Sequence, residues 1–327
     1  MSVPFPVDFR MSLVAVLAVL ALAALFFLLV AFPAELFNKT YENNEVEITK
    51  AFGWMSGVES GRVRRALSFI GFLATIALMS LLLADRERPD GNVAAEFIAF
   101  LVATALVILI YEGSIELFRR SRTNTPGRLR ALPSALFVGL ACCLLSWGLH
   151  LEPAYFYGMI AGFVAAKAAR PPAPGNDGPA VLTGVLVLVA VGVAAWIGRY
   201  ATYDRAHGDH AEFAWVVGDA VLFWIIVLGV EGLTFGLVPL RFLDGERLRD
   251  WHRIAWLLAQ SAAVLFFVYV FVVQAYGPDS PGIDVRSVLR ALAFFAFFGL
   301  VSVGFWLYFR WDGRPTAHYS DHAAPSP

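Results

Sequence analysis

Apolar runs of about twenty residues recur along almost the whole of this chain, and no other feature limits its folding so strongly. A helix of that length spans the ~30 Å hydrocarbon core of a bilayer. No water is present there to pair backbone N–H and C=O groups, so a span outside a closed barrel must be helical. The runs fall at about 11–32, 64–84, 94–118, 131–150, 153–169, 179–198, 213–239, 253–276 and 288–310. The 327 residues are 59% hydrophobic and 16% charged, where soluble proteins carry roughly 25% charge. The expectation is an all-α integral membrane protein of about nine transmembrane helices. Residues 1–312 form a single polytopic domain, and 313–327 form a polar, disordered tail. The fifth run, AYFYGMIAGFVAAKA, is the shortest, and its Lys167 must reach back to the interface. The first run is too long for a signal-peptide core and no small-residue cleavage site follows it, so it reads as a span.

The loops give an orientation. Lys39, Lys50, Arg62, Arg64 and Arg65, then Arg119, Arg120, Arg122, Arg128 and Arg130 fall on one side of a nine-span arrangement. Lys167, Arg170, Arg241, Arg247, Arg249, Arg253, Arg310 and Arg314 join them there. The other side has Arg10, Arg86, Arg88, Arg199, Arg205, Arg286 and Arg290. The positive-inside rule then sets the N-terminus outside and the C-terminus in the cytoplasm. A net charge of −1 carries no nucleic-acid signal. The only two cysteines, Cys142 and Cys143, are adjacent in an apolar run and imply no disulfide framework. Arg greatly outnumbers Lys and Ala, Val and Gly abound, a composition that fits a bacterial gene and its plasma membrane.

An internal echo accompanies the spans. VILIYEGSIELFRR (107–120) and IVLGVEGLTFGLVP (226–239) align at their Glu-Gly pairs, Glu112 and Glu231. Both stretches close a span that runs inward. Spans two to five and six to nine thus read either as parallel four-helix repeats behind a leading helix or as chance similarity.

Acids inside apolar runs are costly, about 2.5–3.5 kcal/mol at mid-membrane on the insertion scale. Glu112, Asp219 and Glu231 are such acids. They read in two ways: as hydrogen-bonding or ion-paired helix contacts, or as steps of a polar path for protons or cations. Asp219 and Glu231 stand about 18 Å apart along one helix.

The stretch FPAELFNKTYENNEVEITKAFGW (32–54), with Met55 just after it, has apolar residues Phe37, Tyr41, Ile48, Phe52 and Met55 at helical spacing. It predicts a cytoplasmic amphipathic segment over 32–60, within the membrane domain and in its first cytoplasmic loop. A lipid-binding helix would be rich in Lys and Arg. This one carries Glu35, Glu42, Glu45 and Glu47, so it should pack on protein: its own basic loops or a partner. The sequon NKT (38–40) falls on the cytoplasmic side and is not read as glycosylated.

Other stretches carry less. In LEPAYFYGMIAGF (151–163), Gly158 and Gly162 make a small-residue face for helix packing. In YDRAHGDHAE (203–212), Asp204, His207, Asp209, His210 and Glu212 lack the defined ligand pairs of a zinc site and read as a solvated loop. No HExxH, Walker A or GxSxG is present, and Ser146 with His150 lacks an acid partner. The sequence implies no enzyme, no cofactor and no metal.

FGLVPLRFLDG (235–245) ends the seventh run with a glycine and a proline, then turns abruptly charged. It resembles the signature of bacterial, mainly actinobacterial, membrane proteins named for an FGLLP motif, with Val238 in place of the second Leu. FPAELFNKTYENN and LEPAYFYGMIAGF are also similar to stretches recurring in that group. The resemblance implies a polytopic membrane protein without an assigned activity, and it transfers no catalytic residue.

Unusual sequence is thus concentrated on one face. The expectation is a non-enzymatic component of a bacterial membrane system with a cytoplasmic docking surface for a protein partner. Its candidate residues are Phe235, Gly236, Pro239, Asp244, Gly245, Glu35, Phe37 and Asn38. The alternative is a small proton- or cation-linked transporter or channel using Glu112, Asp219 and Glu231. The lipid bilayer is the expected surrounding, and oligomeric state is not legible.

Overall fold

The computed structural model describes residues 13–44, 93–123, 128–131, 163–166, 177–208, 211–240, 243–269 and 285–311. Nearly all of them are helical. In chain order the helices are α1 (Leu13–Phe26), α2 (Phe32–Asn43), α3 (Val93–Thr123), α4 (Gly178–His207), α5 (Phe213–Gly236), α6 (Asp244–Trp251), α7 (Arg253–Phe267) and α8 (Val285–Trp311). Among the described residues, four stretches are long and apolar enough to cross a membrane: Val16–Asn43, Ala94–Arg122, Gly178–His207 and Phe213–Gly236. Arg253–Phe267 and Phe295–Arg310 are shorter apolar helices. The expected span at 64–84 and most of those at 131–150 and 153–169 lie outside the described residues.

Two features differ from the sequence expectation. A four-residue antiparallel pair, β1 (Arg128–Ala131) with β2 (Phe163–Ala166), pairs Arg128 with Ala166 and Ala131 with Phe163. Residues 131 and 163–166 were expected inside helical spans. Such a pair satisfies backbone groups across strands rather than along a helix, which lets a short apolar stretch next to Lys167 remain non-helical.

The second difference is at 32. No loop separates the first span from the acidic stretch, because α1 runs into α2 through a π-helical turn, Phe27–Ala31. Pro33 accounts for the turn. It has no N–H to offer the carbonyl of Leu29, and its ring crowds that carbonyl. The chain widens instead, and Phe32 N–H bonds Phe27 O, five residues back. Gly299 of α8 sits against this defect, where a Cβ would stand 2.9 Å from Leu29 O and 3.6 Å from the Pro33 ring.

Helices α3, α4 and α5 are mutual neighbours. Ala99, Phe100, Ala103, Val107 and Ile108 of α3, Leu188 of α4 and Val227 and Leu228 of α5 fill the space among them. Gly184 lets α4 close onto Ile115 and Tyr111. A second group joins through aromatic edges: Phe26 of α1 meets Phe295 of α8 at 5.0 Å and Phe235 of α5 at 5.9 Å, and Phe235 meets Phe267 of α7 at 5.6 Å. Outward faces remain apolar, with Leu117, Leu186, Ile197 and Leu258 exposed. Helices apolar on all sides are the mark of a membrane-embedded bundle.

Candidate functional site

The break after α5 sets a problem of hydrogen bonds. Helix α5 ends at Gly236, and the last carbonyls of any helix lack intrahelical partners. Leaving them unpaired is costly in an apolar surrounding, and here side chains of other helices take over. Thr234 O accepts from Gln260 Nε2 at 2.8 Å, and Leu237 O accepts from Trp256 Nε1 at 2.8 Å. Pro239 O accepts from Asn38 Nδ2 at 2.7 Å. Thr234 Oγ1 donates in return to Ala263 O at 3.2 Å. Backbone turns cover most of the rest: Leu237 N–H to Leu233 O, Val238 N–H to Phe235 O and Leu243 N–H to Leu240 O.

Sequence explains who supplies the donors. Trp256 and Gln260 are four apart on α7 and so share one face. Asn38 sits on α2, the continuation of the first span. Thus the two stretches singled out in the sequence, 32–44 and 235–245, touch each other.

The turn then leads into α6. Asp244 begins that helix and accepts from the Tyr111 hydroxyl of α3 at 2.9 Å, while Arg247 holds its other oxygen at 2.9 Å. Gly245 is pressed onto the backbone of Leu237 and Val238, where a Cβ would collide with Leu237 O. Gly236 is the opposite case, since a Cβ there would meet nothing within 4 Å. Leu248 is fully buried, and Trp251 packs on Gly178, the first residue of α4. Nearby, Arg119 forms a two-pronged pair with Asp177 at 3.2 and 3.1 Å.

Of the candidate docking residues, Asn38, Phe235, Pro239, Asp244 and Gly245 belong to this knot. Glu35 is exposed and pairs with Lys39, one turn on, at 3.3 Å. Phe37 stacks on Tyr41 and on Phe305 of α8. Glu45 and Glu47 lie outside the described residues.

The three intramembrane acids are not gathered. Glu112 and Glu231 lie toward the Pro239 end, at 9% and 3% exposure. The charged groups around Glu112 are Asp244, Arg119, Arg247 and Glu116. Asp219 lies toward the opposite end, about 18 Å along α5 from Glu231. There Arg199 holds it with two bonds, 3.2 and 3.0 Å, and Thr202 Oγ1 donates to it at 2.8 Å. Arg199 is itself buried, with the rings of Phe223 and Tyr203 at 5.3 and 5.7 Å. Glu96 of α3 accepts from Trp224 Nε1 at 3.0 Å.

Sequence reasoning missed Arg199 as a helix contact and counted it as a loop charge. It also missed Tyr111, Trp256 and Gln260. Among the described residues no group of three His, Cys, Asp or Glu is placed to hold a metal. His207 instead stacks on Tyr203 and contacts its carbonyl. No family model, curated protein or solved structure shows a significant match to the chain.

Proposed function

We propose that this chain is a non-enzymatic, multi-pass component of a bacterial plasma membrane. Its Pro239 end faces the cytoplasm and presents a braced surface to a protein partner with a basic contact face. The observation that carries this reading is the Asn38–Pro239 bond, which joins the acidic stretch and the FGLVP turn into one surface. Phe37 is tucked against α8 while Glu35, Lys39 and Glu42 point outward, so the exposed side of α2 is predominantly acidic. The resemblance of 235–245 to FGLLP-motif membrane proteins agrees with the multi-pass part of this reading and adds no mechanism.

A photo-crosslinking residue at Lys39 tests it in membranes of the producing bacterium. The expected result is a discrete adduct that fades with salt and with the pair Glu35→Gln and Glu42→Gln. It should be absent when the photo-residue is at Arg205. An adduct indifferent to the acids, or none, rejects the docking surface.

The burial of Glu112 and Glu231 favours a second reading, proton- or cation-linked transport. It has lost Asp219 as a free step, because Arg199 and Thr202 already occupy that carboxylate. Proton flux in sealed proteoliposomes that vanishes in Glu231→Gln would establish it. No flux in wild type would remove it.

A further inference from the structure

We propose that one end of the bundle, where α3 packs on α4, α4 on α6 and α6 on α7, binds the phosphate headgroup of an anionic phospholipid. A chain of contacts builds this end. Arg119 at the end of α3 pairs with Asp177, which directly precedes α4. Gly178 opens α4 and carries the Trp251 ring against it. Trp251 ends α6, and Arg253 opens α7 one residue beyond His252.

The acids here are engaged. Asp177 pairs with Arg119, Asp244 with Arg247 and Asp250 with Arg249, and Glu116 and Glu246 have partners of their own. Arg120, Arg122 and Arg253 are exposed and make no ion pair among the described residues. Arg122 lies over the Phe118 ring at 5.0 Å, which steadies its stem and leaves its N–H groups available. Guanidinium forks match phosphate oxygens in pairs. The α7 N-terminus, next to Arg253, adds the positive end of a helix dipole.

Position decides between a lipid and a soluble anion. The arginines begin where exposed leucines stop. On α7, Ile254, Leu257 and Leu258 are 64%, 48% and 66% exposed immediately after Arg253. On α3, Leu117 is 71% exposed just before Arg120. Trp251, 38% exposed, sits at that boundary, as indoles do at the edge of a bilayer. An acyl chain lying along Ile254, Leu257 and Leu258 delivers its own headgroup to Arg253. A phosphopeptide offers nothing to that apolar stripe. The proposal rests on the membrane-spanning reading of the helices and not on the docking surface.

The test places the full chain in nanodiscs of phosphatidylcholine with a minority of phosphatidylglycerol. The phosphatidylglycerol that stays with the protein after extraction is then counted. Wild type should be enriched several-fold over the bulk ratio, with the enrichment falling as salt rises. Arg120→Gln, Arg122→Gln and Arg253→Gln together should return it to the bulk ratio, while Arg205→Gln at the other end should leave it intact. If the triple variant fails to fold, Arg253→Gln alone should give a partial loss. No enrichment in wild type, or enrichment unmoved by these variants, overturns the proposal.

Discussion

The carboxamide of Asn38 donates to the carbonyl of Pro239 at 2.7 Å, across 201 residues of sequence. One amide thereby closes the first span onto the broken end of α5. Asn38→Ala should leave the Pro239 carbonyl buried and unsatisfied, at a cost of about 1–3 kcal/mol. Thermal unfolding in detergent should show a lowered midpoint. An unchanged midpoint would mean that water or another donor replaces the amide without loss.

Two glycines of the same motif should behave oppositely. Gly245→Ala drives a methyl into the Leu237 carbonyl and must displace α6 from the bundle. Gly236→Ala meets open space and, as a last-turn substitution by a better helix former, should be neutral or mildly stabilising. Limited proteolysis between 241 and 253 reads the difference. Equal cleavage of both variants would contradict the close approach of Gly245 to the turn.

At the opposite end, Arg199 and Asp219 should behave as a unit. Removing one member of a buried pair typically costs about 3–5 kcal/mol, because the other charge is stranded. Asp219→Asn and Arg199→Gln should each be strongly destabilising. The double variant should cost much less than the two added together, and a double-mutant cycle on unfolding measures this. Strict additivity would show that the two side chains act independently.

Gly299→Ala sets a methyl 2.9 Å from the Leu29 carbonyl at the π turn. Overpacking of this kind costs roughly 1–3 kcal/mol, and α8 should loosen from the turn. Gly304→Ala on the same helix meets nothing within 4 Å and serves as the silent comparison. Cysteine crosslinking between α2 and α8 should weaken in the first variant alone.

Spans were legible where apolar runs were long and unbroken. The runs at 94–118 and 179–198 fall within α3 and α4, and the run at 213–239 begins with α5. Pro239, three residues beyond Gly236, has no N–H with which to continue α5, as its chemistry requires. Helix ends beyond the apolar run were less legible. Helix α4 continues to His207 because Arg199 finds its counter-charge on α5, and a charge so paired does not end a helix. Arg199 alone looks like a loop residue; only the tertiary contact reveals it. The Pro239 knot was half visible. Asn38 and Pro239 stood in stretches already singled out, but nothing local tells an asparagine which distant carbonyl it will cap. Trp256 and Gln260 did leave a trace, two polar groups four apart in an apolar helix. The continuity of α1 with α2 was not legible, because a proline disfavours an unbroken helix and only the structure shows Pro33 accommodated by a π turn.

That turn also holds a residue in reserve. A single π turn takes up one more residue than an α-helical turn over much the same advance. The helix on either side can therefore keep its phase whether or not the extra residue is there. Position in the chain thus counts differently before and after Pro33. A residue deleted from 27–31, with Pro33→Ala to permit a regular helix, is absorbed by closing the turn, and Asn38 still faces Pro239. A residue deleted from 34–37 has no such slack and swings Asn38 by about 100°. The first span can lose length in its π turn and nowhere nearer the knot.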